Sequence, residues 1–253
     1  MKKSIVNKKK YYFFGIVLLS MLWQLFSMKF TRNTMIFPSP VSTFRYSFKL
    51  LFSSYTYRCI FASLQRMLQG FFSSLLFAFL LAIAAGNFDP IDLLMQPMII
   101  ALRSVPTASL VYLFIVLAGF RKAPVYIVFL IAFPILYENI KEGIHNTPEV
   151  LLKASRLDGA GFVVENLRIR IPMALPYIKA GISSAFSLCF KIEIMAEVIT
   201  GASNTGLGCA IYGARSFDPT NMVPVFAYSL IAIALMLSID YLAWLIKDQF
   251  PAK

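Results

Sequence analysis

Two glutamates, Glu193 and Glu197, lie four residues apart in a long apolar stretch, close to Lys191. Because residues four apart share one face of a helix, both carboxylates would point to the same side. An ionisable group in the core of a lipid bilayer costs at least about 2.5–3.5 kcal/mol and usually faces a bundle interior or an aqueous path. Two interpretations stay open: the pair lines a translocation path or its gate, or it joins helices as a structural polar network.

Arg103 stands beside a break in another apolar run, at Ser104-Val105-Pro106. A proline within a helix removes a backbone hydrogen bond, which a membrane protein tolerates where a neighbouring helix or a water-lined cavity satisfies the freed groups. Arg103 and Pro106 are therefore further candidates for the translocation path. The alternatives are a simple packing kink at Pro106 and an Arg103 side chain that extends to the membrane interface.

The residues that could support an enzyme are missing from the sequence. There is no Gly-rich phosphate-binding loop with Lys and Ser or Thr, no cluster of His, Cys and Asp with metal-ligand spacing, and a single histidine. We therefore predict no enzyme, no catalytic residue, no metal site and no cofactor. The three cysteines, Cys59, Cys189 and Cys209, are scattered over apolar segments and are predicted to be small buried residues.

The composition is that of a membrane protein. Hydrophobic residues make up 58% of the chain, charged residues 14%, and the mean hydropathy is +0.71. An ordinary soluble domain is about 45–50% apolar and about 25% charged. The net charge of +12 could suggest nucleic acid, but Lys and Arg in the loops of a membrane protein set its topology. We expect a polytopic all-α protein in contact with lipid and not with nucleic acid.

Six apolar runs are long enough to cross a bilayer, which takes a helix of about 20 residues. They cover about 11–28, 60–85, 97–120, 123–140, 173–199 and 222–246, and a short interfacial helix is predicted after Pro40. The predicted domains are an N-terminal unit at 1–59 (tail, first span and outer interfacial segment), a core of five spans at 60–247, and a tail at 248–253.

The lysine-rich start of the chain predicts the topology. Five lysines in residues 1–10 precede an apolar run that is longer than a signal-peptide core of about 7–15 residues. This run is predicted to be a retained first span with a cytoplasmic N-terminus, and six spans also place the C-terminus in the cytoplasm. The segment 141–171 then lies inside, in agreement with its Lys and Arg residues. The agreement is imperfect, because 29–58 would lie outside with several cations.

The polar segment before the fifth span has the signals of two short helices. Thr147-Pro148-Glu149 predicts a helix start with a hydroxyl cap, a proline in the first turn and an acid beside it. Gly159-Ala160-Gly161 predicts the end of that helix, because glycine tolerates left-handed backbone angles. A second short helix is predicted at about 162–169, leading into Pro172.

The same segment carries a recognisable spacing. The residues that carry it are Lys153-Ala154-Ser155, then Gly159 after three residues, then Ile169-x-Ile171-Pro172 after nine more. The spacing resembles the EAA signature of bacterial ABC-importer permeases, with Lys153 in place of the signature glutamate. Shorter pieces resemble the sulfonate, taurine and nitrate branch of that family in order and spacing. They are Phe37-Pro38-Ser39-Pro40, Ser63-Leu64-x-Arg66-x-x-x-Gly70-Phe71, Arg103-Ser104-Val105-Pro106, Phe133-Pro134-Ile135-Leu136, Ala196-Glu197-Val198-Ile199 and Gly206-Leu207-Gly208.

The resemblance implies a type I ABC importer permease fold with six transmembrane helices in the bacterial cytoplasmic membrane. It implies that residues 141–172, here named the coupling segment, contact a separate ATPase dimer. It also implies a second permease subunit, an extracytoplasmic substrate-binding protein, and a small polar or anionic organic solute or a vitamin or its precursor as substrate. The residues of the coupling segment expected at the ATPase contact are Glu149, Lys153, Ala154, Ser155, Asp158, Gly159 and Ala160.

Two other classes of protein compete with this interpretation. A secondary transporter that uses no ATP predicts inverted repeats with paired broken helices, whereas the halves 1–140 and 141–253 share no evident motif. In a structural or assembly membrane protein with no transport path, the intramembrane acids Glu193 and Glu197 would serve only in helix packing. In an importer, a lysine at position 153 reverses the charge of the ATPase contact, so an acid on the ATPase or a shift of the contact to Glu149 or Asp158 would have to compensate.

Overall fold

A computed structural model describes residues 2–30, 37–201 and 205–248, and within these residues it contains helices and no strand. The predicted all-α class is confirmed. The elements are α1 (Lys2–Phe30), α2 (Pro40–Leu51), α3 (Ser54–Asn87), α4 (Asp89–Ser104), α5 (Thr107–His145), α6 (Glu149–Leu157), α7 (Phe162–Glu165), a π-helical turn (Asn166–Arg170), α8 (Ile171–Thr200), α9 (Leu207–Phe217) and α10 (Val223–Asp248).

Three helices of the described part are long and apolar enough to cross a membrane: α3, α5 and the Val223–Tyr241 part of α10. α1 contributes a shorter apolar stretch, Val17–Lys29. Large apolar side chains on these helices point away from the protein, among them Val116, which is 83% exposed, and Phe72, which is 58% exposed. Such an apolar exterior is expected of helices that face lipid.

The core forms where α3, α5 and α8 pack together, and small residues bring the helices close. A Cβ atom on Gly70 of α3 would lie 2.6 Å from the carbonyl oxygen of Val125 in α5. A Cβ atom on Gly143 of α5 would lie 2.8 Å from the Cβ of Ala174 in α8. Glycine and alanine at such contacts allow close backbone approach, which is how helices associate in a membrane.

The predicted break of the span at 97–120 at Ser104-Val105-Pro106 is confirmed. α4 ends at Ser104, Val105 is extended with φ −75° and ψ 129°, and α5 begins at Thr107. The residue before a proline is disfavoured in the helical region, so the break at Pro106 follows from the sequence as predicted. A second break occurs at Gly119, whose φ of 76° and ψ of 164° interrupt α5. The predicted fourth span, 123–140, lies in the part of α5 after that break.

The predicted interfacial helix after the first span is α2. Its cap is Ser39, whose hydroxyl oxygen accepts a hydrogen bond from the Ser42 N–H at 3.2 Å. One face of α2 packs on α10, where the Ser47 hydroxyl donates to the carbonyl oxygen of Ala227 at 3.3 Å. The opposite face carries exposed side chains such as Phe48, which is 65% exposed. α2 is thus amphipathic and lies against the start of α10.

Candidate functional site: the coupling segment and a buried polar cluster

α6 is a short helix with a well-formed C-terminus. The Ala160 N–H donates to the Ser155 carbonyl oxygen at 3.0 Å, and the Gly159 N–H donates to the Arg156 carbonyl oxygen at 3.1 Å. Gly159 has a φ of 79°, in the left-handed region. These two hydrogen bonds and this backbone angle make a Schellman motif. The predicted helix end at Gly159 is confirmed.

The predicted hydroxyl cap at the start of α6 was wrong. The cap position belongs to Pro148, and the helix begins at Glu149. Thr147 is therefore one residue too early for its hydroxyl to reach the N–H groups of the first turn, which a capping side chain must do. The Thr147 Oγ1 is buried and has no hydrogen-bond partner among the described residues.

A buried carboxylate ties α6 to the elements that follow it. Glu165 lies in α7 with its side chain 6% exposed, and it accepts a hydrogen bond from the Arg156 Nε at 2.9 Å and from the Arg170 Nε at 3.0 Å. The pKa of Glu165 is lowered, first by the hydrogen bond from Arg156 and then by the hydrogen bond from Arg170 and the positive charges of both guanidinium groups. This ion-pair group, Arg156, Glu165 and Arg170, connects α6, α7 and the π-helical turn into one unit.

The coupling segment is also fastened to the end of α3. The Asn87 side-chain amide donates to the Asn166 Oδ1 at 2.8 Å, and the Arg170 Nη1 donates to the Gly86 carbonyl oxygen at 3.3 Å. The rings of Phe88 and Phe162 lie 5.7 Å apart. A displacement of the coupling segment would therefore act on α3 as well as on α8, which continues directly from the π-helical turn.

The residues expected at the ATPase contact lie mostly on the surface. Lys153 and Glu149, one helical turn apart, form an exposed ion pair with 2.8 Å between the Lys153 Nζ and the Glu149 Oε2. The hydrogen bond from Lys153 lowers the pKa of Glu149. Ala154, Asp158 and Gly159 are exposed and Ala160 is half-buried. Ser155 is buried, and its hydroxyl has no partner among the described residues.

Apolar side chains project from the same segment. Leu157 at the end of α6 is 88% exposed, Val150 is 77% exposed and Val163 of α7 is 64% exposed. The segment is rich in charged residues, so these side chains do not belong to a lipid-facing apolar band. They form a surface suited to contact with another protein, since exposed apolar groups rimmed by polar residues mark such sites.

A second group of polar residues lies in the first half of α3, inside the helix bundle. This polar cluster consists of Ser63 and Arg66 from α3 and Glu193 and Glu197 from α8. The Ser63 hydroxyl donates to the Glu197 carboxylate at 2.8 Å, and the Arg66 Nε donates to the Glu193 Oε1 at 3.1 Å. The Arg66 Nη2 also forms an ion pair with the Glu197 carboxylate. Both glutamates are fully buried.

The polar cluster holds the start of α9. The Gly208 N–H donates to the Glu197 Oε2 at 2.8 Å, and the Leu207 N–H donates to the Ser63 Oγ at 2.9 Å. The Arg66 Nη2 donates to the Thr205 carbonyl oxygen at 2.6 Å. The first N–H groups of a helix have no partner within the helix, and a carboxylate near them is stabilising. Glu197 of α8 thus supplies part of the cap of α9.

Glycines make this close approach possible. A Cβ atom on Gly206 would collide with the Glu197 Oε1 and the Arg66 Nη2. A Cβ atom on Gly208 would collide with the Ile194 carbonyl oxygen. The motif Gly206-Leu207-Gly208 therefore allows the backbone of this segment to lie directly on the polar cluster.

The structure places the predicted path residues in two separate locations. Glu193 and Glu197 lie in the polar cluster, where their neighbours are the chain's own side chains and backbone. Arg103 of α4 forms an ion pair with Glu138 of α5, and both side chains are partly exposed, at 52% and 37%. Pro106 is exposed at the break between these helices. A role of any of these residues in a translocation path stays a prediction.

The partners of the two glutamates were not predicted from the sequence. Arg66 and Ser63 appeared only as letters of a family motif. The available signal was charge balance, because two carboxylates buried in a bundle need a cation, and Arg66 lies within a predicted span, near its start. Asp240 of α10, another acid within a predicted span, accepts a hydrogen bond from the Ser187 hydroxyl of α8.

Comparison with known proteins identifies the family. Residues 74–248 match the family described as the binding-protein-dependent transport system inner membrane component. A putative aliphatic sulfonates transport permease protein of Bacillus subtilis is 26% identical over 203 residues, covering 80% of this chain and 73% of that protein. A nitrate import permease protein of Leptolyngbya laminosa is 32% identical over 166 residues, covering 60% of this chain and 54% of that protein.

The fold has a close counterpart among solved structures. The crystal structure of an amino acid ABC transporter with histidines aligns with a TM-score of 0.65 at 17% sequence identity, covering 83% of this chain and 98% of that chain. The all-α polytopic architecture is therefore the type I importer permease fold. With the family match over more than two thirds of its length, the chain belongs to the inner-membrane permease components of binding-protein-dependent ABC transport systems.

Proposed function

We propose that this permease subunit is driven by a separate ATPase dimer that docks on its coupling segment. The observation that carries the proposal is the exposed apolar surface of α6 and α7 on a unit held rigid by the Glu165 ion-pair group. An apolar surface on a fixed support suits docking, because little conformational freedom is lost on binding. The charge of Lys153 is balanced within the chain by Glu149, which favours an ATPase contact through the apolar side chains.

The movement of the ATPases would reach the far side of the bundle through two helices. α8 continues from the coupling segment, and α3 is bonded to it through Gly86 and Asn87. Both helices also carry the polar cluster, which holds the start of α9. In α3 the 24 residue steps from Ser63 to Asn87 cover about 36 Å. A displacement at one end would thereby change the position of the segment at 205–208 at the other end, where we place the gate.

The proposed substrate is a small polar or anionic organic solute, or a vitamin or its precursor. The names of the similar permeases, for aliphatic sulfonates and for nitrate, favour an anion within this class. The proposed assembly has a second permease subunit, in our proposal an identical copy, with two ATPase subunits on the side of the coupling segment and a substrate-binding protein on the side of α9. Both termini would then face the cytoplasm of a bacterial cell.

A pair of matched substitutions tests the docking surface. The tagged chain is purified in mild detergent, and co-purifying proteins are identified by mass spectrometry. We expect a stoichiometric ATPase with the wild type and with Phe217→Asp, a control residue that is 94% exposed in α9. We expect the ATPase to be lost with Leu157→Asp, whose thermal stability should be unchanged because residue 157 is exposed. Equal ATPase recovery from both variants would refute docking on this surface.

Substrate class is tested separately by uptake in cells that express the whole system. The assay measures uptake of a labelled alkanesulfonate in the presence of unlabelled competitors. An anionic substrate is supported if nitrate or sulfonates suppress this uptake and neutral amino acids do not. Suppression only by neutral or cationic solutes would refute it. Uptake that continues after ATP depletion and follows an ion gradient would favour the alternative of an ATP-independent secondary transporter.

A further inference from the structure

Within the described part of the chain, two cations on α2 have no acid to balance them. Arg45 and Lys49 are exposed, and the ion pairs of the described side chains include neither of them. They lie four residues apart and so face the same side of the helix. Like charges at this spacing destabilise a helix. An anion bound between the two side chains would remove that repulsion.

A cavity of about 640 Å³ opens at these cations. Its lining includes Arg45 and Lys49 together with the hydroxyl-bearing residues Ser39 and Ser42. Arginine and lysine are the residues with which proteins hold phosphate groups, arginine through two donors at once and lysine as a point charge. The two cations in the lining therefore suit a phosphate group better than a neutral solute.

An apolar groove adjoins the cavity at Arg45 and Lys49. Its volume is about 370 Å³, and Phe48 lines both spaces. The groove lies between α2, α3 and α10, with Leu51, Ile60, Leu230 and Ala234 among its lining residues. Its residues on α10 run from Leu230 to Ser238, which is about 12 Å along the helix axis. A ligand that fills both spaces has an anionic head and an apolar chain.

We propose that α2 and α10 hold one anionic phospholipid, with its phosphate on Arg45 and Lys49 and one acyl chain in the groove beside Phe48. The position fits such a ligand, because α2 lies across the start of α10, where a spanning helix leaves the membrane. Phe44 and Phe48, exposed at 53% and 65%, would then contact the acyl region. Two unbalanced cations favour a lipid with net negative charge over a zwitterionic one. The proposal goes beyond transport and does not depend on which solute is carried.

Lipid retention tests the proposal directly. The full chain, purified and delipidated, is titrated with phosphatidylglycerol, with phosphatidylcholine and with glycerol 3-phosphate, and bound lipid is counted by native mass spectrometry. We expect retention of one phosphatidylglycerol and a higher melting temperature with that lipid only. The double substitution R45Q/K49Q should weaken retention about 25-fold, since each basic residue near anionic lipid contributes about fivefold.

Two further variants separate the site from general charge effects. R121Q/K122Q removes another exposed pair of cations and should retain lipid as the wild type does. Ala234→Phe narrows the groove and leaves the cations in place, and it should also weaken retention. Equal binding of phosphatidylcholine, equal stabilisation by glycerol 3-phosphate, or equal losses in R45Q/K49Q and R121Q/K122Q would each overturn the proposal.

Discussion

The substitution Glu197→Gln should weaken the helix bundle markedly. The Glu197 carboxylate receives hydrogen bonds from the Ser63 hydroxyl and the Gly208 N–H and forms the ion pair with Arg66. A glutamine amide offers one acceptor oxygen, so its NH2 group must face at least one of these donors. Breaking a buried ion pair by removing one partner costs about 3–5 kcal/mol. We expect a loss of this size in the free energy of unfolding.

Glu193→Gln is the matched control, because it removes the same charge one helical turn away. Glu193 accepts one hydrogen bond from the Arg66 Nε at its Oε1, and its Oε2 has no partner among the described residues. The amide can keep its oxygen towards Arg66 and turn its NH2 group to the side without a donor. The loss should be about 1.5–3 kcal/mol, the value of one hydrogen bond to a charged group.

The melting temperatures of the two variants are compared in detergent, with size-exclusion chromatography of heated samples as the readout. For a chain of this length, 1 kcal/mol corresponds to about 2–4 °C, so Glu197→Gln should lower the midpoint by about 6–20 °C and Glu193→Gln by clearly less. If Glu193→Gln lowers the melting midpoint as much as Glu197→Gln, the assignment of Glu197 as the main anchor of α9 is refuted.

Three further predictions concern other contacts. Gly206→Ala should lose about 1–3 kcal/mol through overpacking, whereas Gly213→Ala, where a new Cβ meets no atom within 4 Å, should melt as the wild type does. Glu165 has a pKa below its ordinary value of 4.5, so its ion pairs stabilise the fold at pH values above 4.5 and are lost as the pH falls through the lowered pKa. Glu165→Gln should therefore have a lower melting temperature than the wild type at pH 7, and the difference between the two melting temperatures should shrink on acidification. Arg103→Gln removes a partly exposed ion pair and should change stability by less than about 1 kcal/mol; a path role predicts reduced uptake, and unchanged uptake would refute that role.

Local rules predicted much of the helix organisation from sequence. Pro106 disfavours a helical conformation in the residue before it, and the chain breaks there. Gly159 can adopt positive φ at low cost, and α6 ends there. Both effects act over one or two residues, which is why the sequence reveals them. The break at Gly119 lies one residue before the predicted end of the span at 97–120, where Arg121 and Lys122 interrupt the apolar run.

The candidate site was predicted only in part, because its contacts join distant parts of the chain. The spacing of Glu193 and Glu197 showed that they share a face, but Arg66 lies 131 residues before Glu197. Asn87 and Asn166, which connect α3 to the coupling segment, are separated by 79 residues. Periodicity and capping rules describe neighbours along a helix and carry no information on such pairs. Thr147 shows that even capping fails when the helix start is shifted by one residue.

The measurement that tests the central claim most directly is solute uptake by proteoliposomes that contain the chain with its co-purified ATPase and the substrate-binding protein. The account predicts that uptake requires ATP hydrolysis, that a non-hydrolysable ATP analogue does not support it, and that Leu157→Asp abolishes it while the protein remains folded. Uptake by the chain alone, driven by an ion gradient and unaffected by Leu157→Asp, would contradict the account.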